Sequence, residues 1–135
     1  KRQVQKYRDE GLPEPEARYA ALVEGVDHSL GRVMDWLDER GLADDTIVMF
    51  TSDNGPTFNG GSDRDFFASS GGLRDGKATL FEGGLRVPMI VRWPGHVAPG
   101  TVSEHLCYFP DFLPTATELA GADTPAAGPE GSCPL

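Results

Sequence analysis

The feature that most constrains the fold is the segment at residues 46–55, whose sequence is TIVMFTSDNG. Its apolar run, led by the β-branched pair Ile47 and Val48, predicts a buried strand. The segment then changes abruptly to small and polar residues. Because open α/β sheets bind ligands at the carboxyl ends of their strands, Asp53 and Asn54 are the first candidate site residues.

A long amphipathic helix is predicted directly before this strand. Residues 13–16, Pro-Glu-Pro-Glu, suit a first helical turn, and Gly41 suits the C-terminal cap. Between residues 17 and 40 apolar side chains recur at intervals of three and four, which predicts one buried face. The face comprises Tyr19, Leu22, Val23, Val26, Leu30, Val33, Met34 and Leu37. Gly25 and Gly31 within it indicate close packing or an irregularity.

The order helix, short loop, strand is half of a βαβ unit and predicts a parallel sheet covered by helices. A second strand is predicted at residues 87–93, with Pro88 at its start or on an edge because proline lacks a donor. Residues 56–76 form a long loop rich in Gly, Ser, Asp and Asn. We expect Phe66 and Phe67 to anchor this loop, since long loops in compact domains are uncommon and usually functional or disordered.

The remaining segments are shorter. Residues 1–10 are predicted as the end of a helix, and residues 77–82 as a short turn or strand. Residues 102–120 predict a turn or short helix and then a helix from about Asp111 that ends at Gly121. The predicted buried face of this helix consists of Leu113, Ala116, Leu119 and Ala120.

Composition narrows the function classes. A net charge of −9 and a pI near 4.6 argue against a general nucleic-acid binder. No run approaches the ~18 apolar residues of a membrane span. The two cysteines are too few for a disulfide scaffold and have no metal-binding spacing. The chain begins with Lys1 rather than Met, so we expect a piece of a longer protein whose compartment stays open.

The histidines and one cysteine give weaker signals. His28 is predicted on the solvent side of the long helix, His96 in a Pro-Gly turn, and His105 as a cap or core residue. No Ser/His/Asp arrangement follows from their spacing. Cys107 has apolar and aromatic neighbours and is predicted as a small core residue.

Two groups of residues could bind a ligand. Asp53 and Asn54 are adjacent oxygen donors of the kind that suits Ca²⁺ or Mg²⁺ rather than Zn²⁺, although Asp-Asn-Gly is equally a turn sequence. Lys77 lies among glycines that allow close approach of a ligand to the backbone. From Arg74 to Arg92 four cations accompany two acids, a local charge of +2 that suits an anionic substrate. Alternatively, these are solvated loop charges paired with one another.

Four motifs in this order resemble the sulfatases. They are TSDNG at residues 51–55, Gly-Lys at 76–77, EGGLRVP at 82–88 and Trp-Pro-Gly at 93–95. The likeness covers roughly residues 15–135. It implies an α/β fold: a partial alkaline-phosphatase-like sheet with flanking helices, in an incomplete domain.

The resemblance also suggests a division of the chain. Residues 1–14 are a polar lead-in, residues 15–121 a central to C-terminal part of the catalytic domain, and residues 122–135 a Pro/Gly/Ala-rich end. By family likeness, the longer protein that contains this chain would be periplasmic, secreted or lysosomal. Its substrate would be a sulfated small molecule or glycan.

The family likeness implies hydrolysis of sulfate esters. Asp53 and Asn54 match two calcium ligands, and Lys77 matches the lysine that contacts the substrate sulfate. Ca²⁺, in preference to Mg²⁺, would neutralise sulfate oxygens, and Lys77 would stabilise charge in the transition state. Arg74 and Arg86 are further candidates for contacting substrate from a loop.

The family nucleophile is a formylglycine made within a C/S-x-P-x-R motif, and this sequence lacks that motif. Cys107 has the wrong spacing to proline, and Ser132 begins a match to the first three positions only, downstream of Asp-Asn-Gly. The further calcium aspartates and the family's site histidines are also unmatched. We therefore expect weak Ca²⁺ binding and no turnover by this chain alone.

Two other interpretations remain open. A phosphate or phosphonate ester hydrolase of the same superfamily commonly uses Zn²⁺ with a His after the Asp, whereas Asn54 favours a harder ion and sulfate. A non-catalytic fragment would only bind or self-associate, since a partial sheet exposes strand edges.

Overall fold

A computed structural model describes residues 2–57 and 59–122 of the chain. They divide into two compact units, Lys1–Pro94 and Gly95–Leu135. The first unit contains α1 (Arg2–Asp9), α2 (Glu14–Glu39), β1 (Val48–Thr51), a 3-10 turn (Asn59–Gly61), α3 (Glu82–Leu85) and β2 (Met89–Arg92). The second contains a 3-10 turn (Phe109–Asp111) and α4 (Phe112–Leu119). The predicted Pro/Gly/Ala-rich end lies, from residue 123 onward, outside the described residues.

Helices α1 and α2 form a helical hairpin, and α1 confirms the helical end predicted at residues 1–10. The chain reverses at Gly11, whose φ of +89° is readily adopted only by glycine. Two ion pairs join the helices: Lys6 Nζ lies 2.6 Å from Glu24 Oε1, and the Arg8 guanidinium donates to the Glu14 carboxylate. The first helix is therefore held mainly by charge, since it has no buried residue.

Helix α2 confirms the predicted helix and its cap. Gly41 has a φ of +64°, and its N–H donates to the Asp38 carbonyl at 3.1 Å. The N–H of Leu42 donates to the Leu37 carbonyl at 2.9 Å. These two bonds form a Schellman cap, which satisfies carbonyls that the helix end would otherwise leave without partners.

The predicted burial of the apolar face of α2 is wrong over most of the helix. Ala17, Ala21 and Leu37 are buried, but Leu22 is 71% exposed. Val23, Val26 and Val33 are also exposed. The cause is the extent of the packing partner, because α1 is short and no described strand forms a contact network with α2 comparable to that of α1. A Cβ on Gly25 or Gly31 would meet no atom within 4 Å, so these glycines do not mark close packing.

Strands β1 and β2 pair in the antiparallel sense, with Val48 opposite Arg92 and Thr51 opposite Met89. The prediction of a parallel sheet is therefore wrong for the described strands. A parallel pair needs a crossover, usually through a helix. The described part of the connection here contains the 3-10 turn Asn59–Gly61 and the one-turn α3, and it returns to the end of the sheet where β1 finishes. There the Thr51 hydroxyl donates to the Pro88 carbonyl at 3.0 Å.

The predicted second strand is confirmed, with Pro88 directly before it. The first strand is less buried than its apolar run predicts. Val48, Met49 and Phe50 are only half-buried, because within the described residues the sheet has two strands.

In the second unit, α4 confirms the predicted helix with Pro114 in its first turn. The predicted buried face is wrong, since Leu113 is 60% exposed and Leu119 is 43% exposed. Asp111 and Thr115 are the buried residues instead. The Thr115 hydroxyl donates to the Asp111 carbonyl at 2.8 Å, a local bond that gives the buried hydroxyl a partner.

The core position predicted for Cys107 is also wrong, as is the core alternative of the cap-or-core prediction for His105. Residues 101–110, which include Cys107, are exposed throughout. His28 is exposed on α2 as predicted, with its Nδ1 3.3 Å from Gln3 Nε2. In the described part of the chain, no helix has the length and apolar character to cross a membrane.

The two kinds of glycine in α2 predict opposite responses to alanine. Gly25→Ala should raise the free energy of unfolding by about 1 kcal/mol, because it removes a helix-breaking residue from open space. Gly41→Ala should lower it by about 1–2 kcal/mol, because alanine is strained at a φ of +64°. Denaturant unfolding of both variants measures the difference, and equal signs would contradict the cap assignment.

The helical hairpin should also loosen in acid. Hydrogen bonding to Arg8 first, and also to Arg18, lowers the pKa of Glu14 from 4.5 to about 2. A lowered pKa contributes stability that is complete above about 4.5 and is lost as the pH falls toward 2. Melting temperatures measured from pH 5 to pH 2 should fall more for the unsubstituted chain than for the Glu14→Gln variant. Parallel curves would show that Glu14 makes no contribution.

Candidate functional site

An open cleft of about 680 Å³ lies where β1 ends. Its walls come from α2, from the residues after β1, from the loop at residues 56–76 and from the segment between α3 and β2. The polar and charged lining side chains include Asp53, Asn54, Ser69, Ser70, Lys77 and Arg86. We call this space the cleft.

The cleft brings together most of the residues that the sequence singled out. Asp53, Lys77 and Arg86 are exposed, and Asn54 is half-buried, so all four can contact a ligand from solvent. Arg86 Nη1 lies 3.6 Å from Glu82 Oε2, an exposed pair that a competing anion can displace. The fifth candidate, Arg74, does not line the cleft, and its guanidinium stacks 3.5 Å from the centroid of the Phe81 ring.

The Asp-Asn-Gly sequence forms a turn in the wall of the cleft. The Ser52 hydroxyl donates to the Asn54 carbonyl at 2.9 Å, and the backbone bends through residues 53–55. The two predictions for Asp53 and Asn54, a bend in the chain and a ligand site, are therefore compatible. The backbone bends at these residues, and their side chains line the cleft.

Four buried glycines hold the cleft together: Gly55, Gly76, Gly83 and Gly84, which we call the glycine cluster. A Cβ on Gly55 would lie 1.7 Å from the Gly83 carbonyl oxygen, and one on Gly83 would lie 2.1 Å from that of Asp75. A Cβ on Gly84 would lie 2.6 Å from the Gly76 oxygen. None of the four has a positive φ. Glycine is required here for space, since no other residue allows the backbones to come so close.

Backbone hydrogen bonds join the same segments. The Gly55 N–H donates to the Gly84 carbonyl at 2.9 Å. The Lys77 N–H donates to the Pro56 carbonyl, also at 2.9 Å. Lys77 is thus attached two residues after Asn54, although the two are far apart in sequence. The glycines were predicted to let a ligand approach the backbone. In the structure they let separate segments of the backbone approach one another.

The turn that carries Lys77 has an unusual backbone. Asp75 and Ala78, on either side of it, have φ values of +66° and +70°. Residues with a Cβ pay energy in this region, and such residues concentrate at functional sites. The hydrogen bond from Arg64 first, with the amide of Gly76, lowers the pKa of Asp75 and keeps its carboxylate charged.

The loop at residues 56–76 is anchored on α2. The Tyr19 and Phe67 rings stack with centroids 5.8 Å apart, which confirms an anchoring role for Phe67. The buried Glu16 accepts a hydrogen bond from the Asp63 N–H at 3.1 Å. Sequence reasoning missed Glu16 as a loop anchor, since an acid in a first helical turn is ordinarily explained by the helix dipole.

Other residues of the cleft were also missed. Tyr19 was assigned only to a helix face, and Ser69 and Ser70 had no signal beyond their place in a long polar loop. No sequence signal pointed to the contact between Arg64 and Asp75, since the two residues are eleven positions apart in irregular structure.

The donor set of the cleft suits a hard cation only in part. Asp53 and Asn54 offer a carboxylate and an amide oxygen, which Ca²⁺ accepts. Within residues 2–57 and 59–122, no three His, Cys, Asp or Glu side chains are grouped so that they could hold a metal ion. Any ion at Asp53 and Asn54 would need further ligands.

Comparison with known proteins identifies relatives of the chain. A family model described as Sulfatase matches residues 1–122. Mouse (Mus musculus) steryl-sulfatase is 43% identical over 109 residues, 79% of this chain and 18% of its own length. Human (Homo sapiens) N-acetylgalactosamine-6-sulfatase is 39% identical over 109 residues, 81% of this chain and 20% of its own length. Human arylsulfatase A is 43% identical over 104 residues, 74% of this chain and 19% of its own length.

A solved structure has the same fold. The crystal structure of Ps i-CgsB in complex with k-i-k-neocarrahexaose matches with a TM-score of 0.78 and 32% identity. The match covers 91% of this chain and 26% of that chain. The α/β, alkaline-phosphatase-like fold with a partial sheet is thereby confirmed. The chain spans about a fifth of the length of the curated relatives.

The glycine cluster predicts a specific loss of stability. Gly55→Ala should lower the free energy of unfolding by about 2 kcal/mol or more, because the new methyl group would overlap the Gly83 carbonyl. Gly31→Ala is the matched control, since a Cβ there meets no atom within 4 Å. Denaturant unfolding compares the two, and a stable Gly55→Ala variant would contradict the packing described.

Proposed function

The chain belongs to the sulfatase family, and we propose that it forms part of an enzyme that hydrolyses sulfate esters. One observation carries the proposal: Asp53, Asn54 and Lys77 line a single cleft, and backbone bonds tie the lysine turn to the strand end. A cation beside oxygen donors for a metal is the combination that a sulfate group requires.

Lys77 is the residue we assign to the sulfate. Its ammonium is an exposed, compact positive charge, while its backbone is fixed by the bond to Pro56. A charge that is already in place costs no reorganisation when negative charge develops on the substrate. Arg86 adds a second positive charge in the same cleft and could contact further anionic groups of a substrate.

Asp53 and Asn54 would hold one side of a Ca²⁺ ion, in preference to Mg²⁺. A bound ion would act as a Lewis acid toward sulfate oxygens. Asn54 stands after Asp53, where the zinc-dependent relatives commonly have a His. This donor chemistry supports calcium and a sulfate ester over the zinc-dependent phosphate or phosphonate hydrolases. The other ligands would come from sequence outside this chain.

The nucleophile would also come from outside this chain. The C/S-x-P-x-R motif that yields formylglycine does not occur in the 135 residues. We therefore propose that the chain alone does not turn over substrate and that a longer protein does. The exposed apolar residues of α2, among them Leu22, Val23 and Val26, support self-association of the isolated chain.

The substrate would be a sulfated small molecule or glycan. The curated relatives are named for steryl, aryl and N-acetylgalactosamine 6-sulfate esters, and the solved relative is described in complex with an oligosaccharide. The chemical group shared by the curated names is the sulfate. We assign this chain to recognition of that group.

The test is activity of the longer protein that contains this segment. Lys77→Ala should lower kcat toward para-nitrophenyl sulfate by about 10²–10³-fold, the usual cost of removing a transition-state contact. Lys6→Ala should keep full activity, because Lys6 pairs with Glu24 and does not line the cleft.

Three results would overturn the proposal. An active Lys77→Ala variant would remove the assigned role, and faster cleavage of para-nitrophenyl phosphate than of the sulfate would favour the phosphatase interpretation. Stoichiometric zinc without calcium in the purified longer protein would contradict the metal assignment.

A further inference from the structure

We propose that Arg64 and Asp75 are positioning residues that aim Lys77 into the cleft, an inference that rests on the proposed function. Arg64 Nη1 donates to Asp75 Oδ1 at 2.7 Å. The same oxygen accepts the Gly76 N–H at 2.9 Å. A single carboxylate oxygen of Asp75 therefore binds both the Arg64 side chain and the backbone N–H immediately before Lys77.

The carboxylate stabilises a backbone conformation that the sequence alone disfavours. Asp75 has a φ of +66°, where a residue with a Cβ is strained. Its side chain offsets that strain by accepting a hydrogen bond from the next N–H. The left-handed turn at Asp75 and its counterpart at Ala78 set the direction in which the intervening Lys77 leaves the backbone.

Arg64 is itself held in place by the loop. Its side chain is 22% exposed, and its carbonyl accepts the Ser69 N–H at 3.1 Å. The preceding residue, Asp63, donates its N–H to the buried Glu16 of α2. Ser69 and Lys77 both line the cleft. The Arg64–Asp75 pair therefore joins the part of the loop that carries Ser69 to the backbone that leads into Lys77.

The backbone around the pair leaves little freedom to compensate for its loss. Cβ atoms on Gly83 and Gly76 would lie 2.1 Å from the Asp75 carbonyl oxygen and 3.1 Å from Arg64 Nη1, respectively. The pair is partly exposed, so its contribution to global stability is small. Its effect is on geometry, because a displacement of about 1 Å in a catalytic group can cost about 100-fold in rate.

The test uses kinetics of the longer protein with para-nitrophenyl sulfate. Asp75→Asn removes the charge but keeps a side chain that tolerates positive φ, and Arg64→Met removes the other partner. Each should lower kcat by about tenfold to 100-fold. Arg64→Lys should recover part of the loss. Lys6→Met with Glu24→Gln removes an ion pair between α1 and α2 and serves as the matched control.

The decisive measurement adds Asp75→Asn to Lys77→Ala. If Asp75 acts through Lys77, the double variant should turn over substrate at the rate of Lys77→Ala alone, because residues that act as one unit are not additive. A merely structural role would lower the rate again in that background.

The outcomes separate the two proposals. Loss of activity in Lys77→Ala with unchanged kcat in Asp75→Asn and Arg64→Met would overturn the positioning role alone. A full further loss in the double variant would overturn it too. An unaffected Lys77→Ala variant would remove the proposed function and this inference together.

Discussion

The hydrogen bond between the Gly55 amide and the Gly84 carbonyl, 2.9 Å long, is the backbone contact that joins the residues after β1 to α3 at the cleft. It forms between two stretches of backbone where no side chain would fit. Because Gly55 follows β1 and Gly84 precedes β2, the bond closes the connection between the strands at one end of the sheet. The two strands pair in the antiparallel sense from this end, and a separate bond from the Lys77 N–H to the Pro56 carbonyl attaches the lysine turn beside it.

Local structure could be predicted from the sequence because its causes are local. The long apolar periodicity and Gly41 defined α2, and Pro88 marked the start of β2. Burial and strand direction could not be predicted, because they depend on which other elements pack against the helix or pair with the strand. The periodicity of α2 shows which side is apolar, yet it does not state whether any element covers Leu22. The helix-then-strand order likewise does not show that the next connection lacks a crossover helix.

The candidate site follows the same division. Asp53, Asn54 and Lys77 were identified from residue type and from motif order, and the structure lines one cleft with them. Their roles stay predictions. The supporting contacts were not predictable, because Arg64 and Asp75 meet only through the path of an irregular loop. The φ of +66° at Asp75 was not predictable either, because Asp tolerates that region but most Asp residues do not adopt it.

Buried backbone and exposed side chains alternate within the segments that form the cleft. The backbone of the glycine cluster is buried, whereas the side chains of Asp53 and Lys77 are exposed to the cleft. Substitutions that alter a cleft-lining side chain can therefore change what is bound without disturbing the framework. The chain is about equally identical to relatives named for steryl, aryl and sugar sulfates. Under the proposed function, selectivity for the alcohol would reside in other residues than those assigned to the sulfate.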